Sequence, residues 1–185
     1  MPPDVNKSDY EFTTTEDGNI QFGLKAIKNV GKNAVESIVK QRKNGEYKSL
    51  VDFLQKVDLG QVNIRVIESL IKAGAFDGFD HYRSQMLVKY EDIYDKMSQN
   101  IKNHSQNQYS FFDLVETEED FFENKISFPD IDELEFAEKL SQEREVLGIY
   151  ISGHPLDLYK DKIKALTNIN CEEFSKSPQT GQLSL

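Results

Sequence analysis

Tryptophan is absent from this chain of 185 residues, cysteine occurs once, and no apolar run approaches the roughly 20 residues that a membrane-spanning helix requires. The lone Cys171 excludes an internal disulfide, and without companions at ligand spacing it makes no metal site. The N-terminus, Met1-Pro2-Pro3-Asp4-Val5-Asn6, lacks the basic start and apolar stretch of a secretory signal, so a cytoplasmic location is expected. A mean hydropathy of -0.59 argues against any membrane role. Large side chains are not lacking: 12 Phe and 8 Tyr suffice to close a helical core. A hydrophobic fraction of 38% permits such a core without drawing every segment into it.

Positive charge is also scarce overall, and a net charge of -10 counts against a nucleic-acid partner, because Lys and Arg on phosphates dominate such affinity. The distribution is uneven. Residues 25–48 carry Lys25, Lys28, Lys32, Lys40, Arg42, Lys43 and Lys48 against Glu36 and Glu46. Residues 113–145 reverse the balance, from Asp113 and Glu116 through Asp132 and Glu133 to Glu143 and Glu145. Such sign asymmetry predicts two regions with different partners.

The spacing predicts a mainly α fold. Tyr10–Thr14 and Asn19–Phe22 are β-prone runs around Asp17-Gly18, a hairpin signal, so a small ribbon leads into the helices. A first short helix carries Leu24 and Ile27, a second Ala34, Val35, Ile38 and Val39, and a third Leu50 to Val57. The fourth starts at the N-cap Asn63, runs a stripe of Val66, Ile67, Leu70 and Ile71, and closes at Gly74. A fifth is expected over 81–97. Ser98–Asn107 has too little apolar surface to offset its ordering entropy and reads as a tether. A last helix is expected from Asp132 as cap to Gly148.

The turn at Asn29-Val30-Gly31 carries the functional reading. Gly31 is expected in a conformation costly for a residue with a Cβ, with N–H groups around Gly31 to Asn33 facing an anion at a new helix N-terminus. This pattern resembles a helix-hairpin-helix motif, in which Asn29 stands where another glycine is common and tolerates a left-handed backbone. The candidate DNA-binding residues are Lys28, Asn29, Val30, Gly31, Lys32, Asn33 and Arg65. Their contacts would reach the double-stranded DNA backbone, read no base and weaken with salt. Residues 50–74 look like a degenerate second copy with Asp58-Leu59-Gly60-Gln61 as its turn, giving the tandem that straddles a minor groove. This second copy reads as mainly structural.

Gln108-Tyr109-Ser110-Phe111-Phe112 places two adjacent Phe in a stretch too polar to bury them. It resembles the peptide that bacterial replication proteins insert into the β sliding clamp, the Gln at the rim and both rings in an apolar cleft. The alternative is that Phe111 and Phe112 fold back on their own domain. Gln182-Leu183-Ser184-Leu185 is a weaker echo without the last aromatic and reads as chance.

Four stretches stand in order along residues 2–157: Pro2-Pro3-Asp4-Val5-Asn6; Ile20 to Gly31; Val62-Asn63 with Leu70 to Asp77; and Glu145-Val146-Leu147-Gly148-Ile149-Tyr150-Ile151-Ser152-Gly153-His154-Pro155-Leu156-Asp157. Together they resemble the family C replicative polymerases, the α subunits of bacterial DNA polymerase III. The resemblance implies an internal piece of a longer polymerase acting in DNA replication. It implies 1–22 as the end of the fingers region, 23–98 as a tandem helix-hairpin-helix module, 99–130 as a tether with the clamp peptide, 131–160 as a helix and turn, and 161–185 as a linker toward an OB-type domain. The parent would transfer nucleotides with Mg²⁺ on palm carboxylates outside this segment and meet other replisome subunits near the nucleoid. The segment itself is expected to carry no catalytic residue, metal or cofactor, with His154 a turn residue. The rival reading is a helical protein-interaction module with no direct DNA contact.

Overall fold

The computed structural model describes residues 1–105, 126–167 and 172. Two compact units divide the chain, Met1–Ser152 and Gly153–Leu185. In the first, strands β1 (Thr13–Thr14) and β2 (Ile20–Gln21) pair antiparallel, Thr13 opposite Gln21 and Thr14 opposite Ile20. Gly18, at φ 77°, makes the expected turn. The expected helix at Leu24 is only one 3-10 turn, Leu24–Ala26. Its opening amides are used elsewhere: Leu24 N–H donates to the Asp9 carbonyl and Lys25 N–H to that of Tyr10, at 2.9 and 3.2 Å. Gly23 permits this approach, since a Cβ there would lie 2.4 Å from the Glu11 backbone.

Four helices then build the core: α1 (Lys32–Arg42), α2 (Leu50–Lys56), α3 (Ile64–Lys72) and α4 (Arg83–Ser105). The Ser49 hydroxyl caps α2 by accepting from Asp52 N–H, and Asn63 caps α3 as expected. The end of α3 is a Schellman motif: Gly74 at φ 77°, its N–H on the Ile71 carbonyl and Ala75 N–H on that of Leu70. Phe53, fully buried, meets Tyr47 and Phe76 edge to face, each with ring centroids 4.9 Å apart. Burial pushes the Tyr47 phenol up to about 12, and its hydroxyl donates to the Ile38 carbonyl. The stretch around Val5 joins this core through Val5 N–H on the Ala75 carbonyl and a two-way bond between the Asn6 side chain and the Tyr47 backbone.

Helix α4 continues to Ser105, through residues 98–105 that the composition assigned to a tether. Met86, Tyr90, Ile93 and Met97 bury its first turns, and extending a helix already nucleated costs little. The end of the expected tether, residues 126–130, is anchored as well. Phe128 stacks on His81 at 3.8 Å, and the Pro129 carbonyl accepts from the Gln85 side chain at 2.8 Å. Asp132 does not cap the next helix, α5, which begins four residues later (Phe136–Leu147). Its neighbour Glu133 caps α4 instead, accepting from Ser84 N–H at 3.2 Å and Arg83 N–H at 3.4 Å. Gln108–Phe112, Cys171 and Gln182–Leu185 lie outside the described residues.

A buried ionic cluster locks α5 to this body. Arg83, 2% exposed, donates to both Asp77 oxygens at 2.7 and 2.6 Å, to Glu143 at 3.1 Å and to the Lys72 carbonyl at 3.3 Å. Glu143, fully buried, accepts Ile151 N–H at 2.8 Å, Ser152 N–H at 2.9 Å and the Ser152 hydroxyl. Burial alone would raise the Glu143 pKa, but these donors and Arg83 outweigh it and hold the carboxyl below its ordinary range. Glu133 and Glu143 are therefore internal anchors, not part of a solvated acidic face.

In the second unit His154 is a turn residue. Its ring nitrogen accepts Leu156 N–H while Asp157 accepts His154 N–H, a capping box for the 3-10 turn Pro155–Tyr159 that leads into α6 (Lys160–Leu166).

Candidate nucleic-acid interface

Ile27 and Val30, 2% and 6% exposed, pin the first turn to the core from either side of Asn29. Val30 therefore serves as an anchor, its N–H on the Ile27 carbonyl at 3.1 Å. The left-handed residue is Asn29, φ 67°, the one non-glycine at positive φ among the described residues. Its side chain points inward, donating to the Ser69 hydroxyl at 3.0 Å. Gly31 corrects the expectation placed on it: at φ -83° and ψ 167° it is an extended N-cap that any residue could adopt. Its lack of a side chain acts differently. Nothing lies within 4 Å of where its Cβ would stand, and no side chain caps α1. Among the described residues, no acceptor meets the amides of Lys32, Asn33 and Ala34, which open α1.

The second turn is built alike and finished differently. Asp58 N–H donates to the Ser37 hydroxyl of α1 at 3.1 Å, just as Asn29 reaches Ser69 of α3, so each helix holds the other hairpin's turn. Here the amides are occupied. The Asp58 side chain accepts Gly60 N–H at 2.8 Å, its carbonyl accepts Gln61 and Val62 N–H, and Asn63 accepts Arg65 and Val66 N–H at 3.0 and 3.1 Å. The second turn thus offers fewer open amides than the first.

An open groove of about 370 Å³ runs between the two turns, lined by Asn29, Gly31, Lys32, Asn33 and Ala34 on one side and Gln61, Asn63 and Val66 on the other. Lys28 and Arg65 are exposed beside it without lining it. Lys32 pairs with Glu36 at 3.6 Å, both side chains more than half exposed, a contact worth a few tenths of a kcal/mol, or about 0.3–0.5. Gln61 and Asn63 were not among the sequence candidates. Their signal was the repeat itself: Val30-Gly31 followed by Glu36-Ser37 matches Val62-Asn63 followed by Glu68-Ser69, which sets Asn63 opposite Gly31 and Arg65 opposite Asn33. Among the described residues no group of three or more His, Cys, Asp or Glu could hold a metal ion. No described helix is long and apolar enough to cross a membrane.

The family model for a helix-hairpin-helix motif matches residues 1–86. DNA polymerase III subunit alpha of Campylobacter jejuni is 38% identical over 189 residues, covering 99% of this chain and 15% of the relative. The Borreliella burgdorferi protein of the same name is 36% identical over 171 residues (92% of this chain, 15% of the relative), and that of Mycobacterium tuberculosis 40% over 162 residues (85% and 13%). The chain thus spans about 15% of the length of the curated relatives it matches. A mainly α tandem of hairpins, joined crosswise through Ser37 and Ser69 and matched across nearly its whole length, belongs to the DNA polymerase III α-subunit family.

Proposed function

We propose that this segment grips the backbone of duplex DNA through the first hairpin, within a polypeptide that carries out DNA-directed nucleotide transfer in replication. The observation that carries the reading is the set of uncapped amides at Lys32, Asn33 and Ala34, open to a groove and flanked by Lys28 and Lys32. Lys28 and Lys32 add charge at the rim. Phosphate contacts of this kind hold without reading sequence. Nucleotide transfer and its metal ions belong to carboxylates outside this chain, and the location that fits the role is the cytoplasm at the nucleoid.

Fluorescence anisotropy with duplexes of unrelated sequence tests the grip. Affinity should be alike across sequences and fall with salt by a log-log slope of about 0.9 per phosphate contacted. No binding at low salt would overturn the reading in favour of a protein-interaction module.

The same proposal includes clamp tethering by Gln108, Tyr109, Ser110, Phe111 and Phe112. Burying two Phe side chains supplies about 1.5–3 kcal/mol each, so the peptide alone binds weakly. With the hairpins on DNA that the clamp encircles, the second contact becomes nearly intramolecular and effective. Changing Phe111 and Phe112 together to Ala should abolish capture by the β sliding clamp in a surface-binding assay and leave duplex affinity unchanged. Retained capture would remove the peptide from the proposal.

A further inference from the structure

The DNA-binding turn is braced by a part of the chain more than a hundred residues further on. Lys28 N–H, immediately before Asn29, donates to the Val146 carbonyl at 2.8 Å. That carbonyl lies in the last turn of α5, where a helix leaves its carbonyls without internal partners and its dipole end is negative, so an outside donor is welcome. Val146 is itself in the core at 4% exposure. One helical turn earlier, Glu143 fixes the same end of α5 to Arg83 at the start of α4 and to the returning chain at Ile151 and Ser152. Lys72 adds an outer tie to Glu145 at 3.2 Å.

We infer that Glu143 is a positioning residue for DNA binding. By holding the end of α5, it keeps the Val146 carbonyl on the Lys28 amide and so fixes the direction in which the uncapped amides of α1 point. The inference rests on the DNA reading above. Asn29 alone does not secure the turn. Its single side-chain bond to Ser69 restrains one flank, and Val146 restrains the backbone on the other.

The test is a double-mutant cycle read by duplex affinity in the full chain. Lys28→Ala removes the side-chain charge and keeps the N–H, whereas Lys28→Pro removes both. The residue before it, Ile27, already has the extended backbone that precedes proline readily, φ -80° and ψ 128°. Lys28→Pro should bind about tenfold more weakly than Lys28→Ala, the scale of one lost hydrogen bond. Glu143→Ala should cost about tenfold in the Lys28→Ala background and little in the Lys28→Pro background, where the bond it protects is already gone. Hydrogen exchange should show the Lys28 amide losing protection in Glu143→Ala while the α3 amides keep theirs. Equal costs in both backgrounds, or an affinity unmoved by Glu143→Ala, would overturn this inference and leave the DNA reading standing. An unaltered chain that fails to bind duplex at all would overturn both. Should Glu143→Ala fail to fold, Ser152→Ala, which removes one donor to the same carboxylate, should give the same pattern on a smaller scale, and additivity there would overturn it equally.

Discussion

Arg83→Ala is expected to lower the stability of the first unit by about 3 kcal/mol, the low end of the range for removing one partner of a buried ion pair. The low end applies because Glu143 keeps three other donors, the amides of Ile151 and Ser152 and the Ser152 hydroxyl. Asp77, by contrast, is 42% exposed and recovers hydration when the guanidinium leaves. Gly74 deepens the loss, because the guanidinium is packed against it: a Cβ there would stand 2.2 Å from an Arg83 nitrogen, so truncation opens a gap at a helix end. Urea denaturation followed by circular dichroism would measure this. A loss below about 1 kcal/mol, the scale of a surface pair, would show the cluster to be hydrated in solution.

Acid provides a second reading of the same cluster. The folded-state pKa values of Glu143 and Glu133 lie below the ordinary glutamate value of 4.5. A carboxyl with a depressed folded pKa contributes stability that is fully present above its unfolded pKa and is lost as pH falls through the folded one. The unaltered chain should therefore lose stability steeply on acidification below about pH 4.5, and Arg83→Ala more gradually, since Glu143 has then lost one cause of its depression.

Gly31→Asp should move stability and binding in opposite directions. The backbone at Gly31 suits any residue, and no atom lies where a Cβ would go. An aspartate there would cap the amides of Asn33 and Ala34 and sit favourably at the positive end of α1, a gain of about 0.5–1 kcal/mol over glycine. The same carboxylate would occupy the donors a phosphate needs and repel the phosphate as well. Duplex affinity should fall on the order of a hundredfold at low salt, two charge-assisted contacts being at stake. Thermal melting and anisotropy on one preparation give both numbers. A variant more stable and equally able to bind would show that α1 does not receive the phosphate.

What the sequence made legible was local. Asn63, Gly74 and Gly148 mark their helix ends because the cap chemistry sits within one turn of the residues it serves. The ribbon followed from Asp17-Gly18 in the same way. What it concealed was non-local. Arg83 and Glu143 are sixty positions apart and resemble surface charges until the fold brings them together. Asp132 looked like a cap because nothing nearby revealed that Ser84 would donate to its carbonyl and bind the chain there. At the groove, the turn itself and the placement of Lys32 and Asn33 on it were readable from spacing. The inward role of Asn29, the anchoring role of Val30 and the opposing wall of Gln61 and Asn63 depended on how the two copies face each other.

The unequal finish of the two turns bears on orientation. A duplex has a dyad, and its phosphates look the same read from either end. A grip with two equivalent halves could seat on it either way round. Here the amides of Gly60, Arg65 and Val66 are already taken by Asp58 and Asn63, whereas those of Lys32 to Ala34 are not, so the halves are unlike. On the proposed reading such a grip has a front and a back, so duplex DNA would seat on it in one direction only.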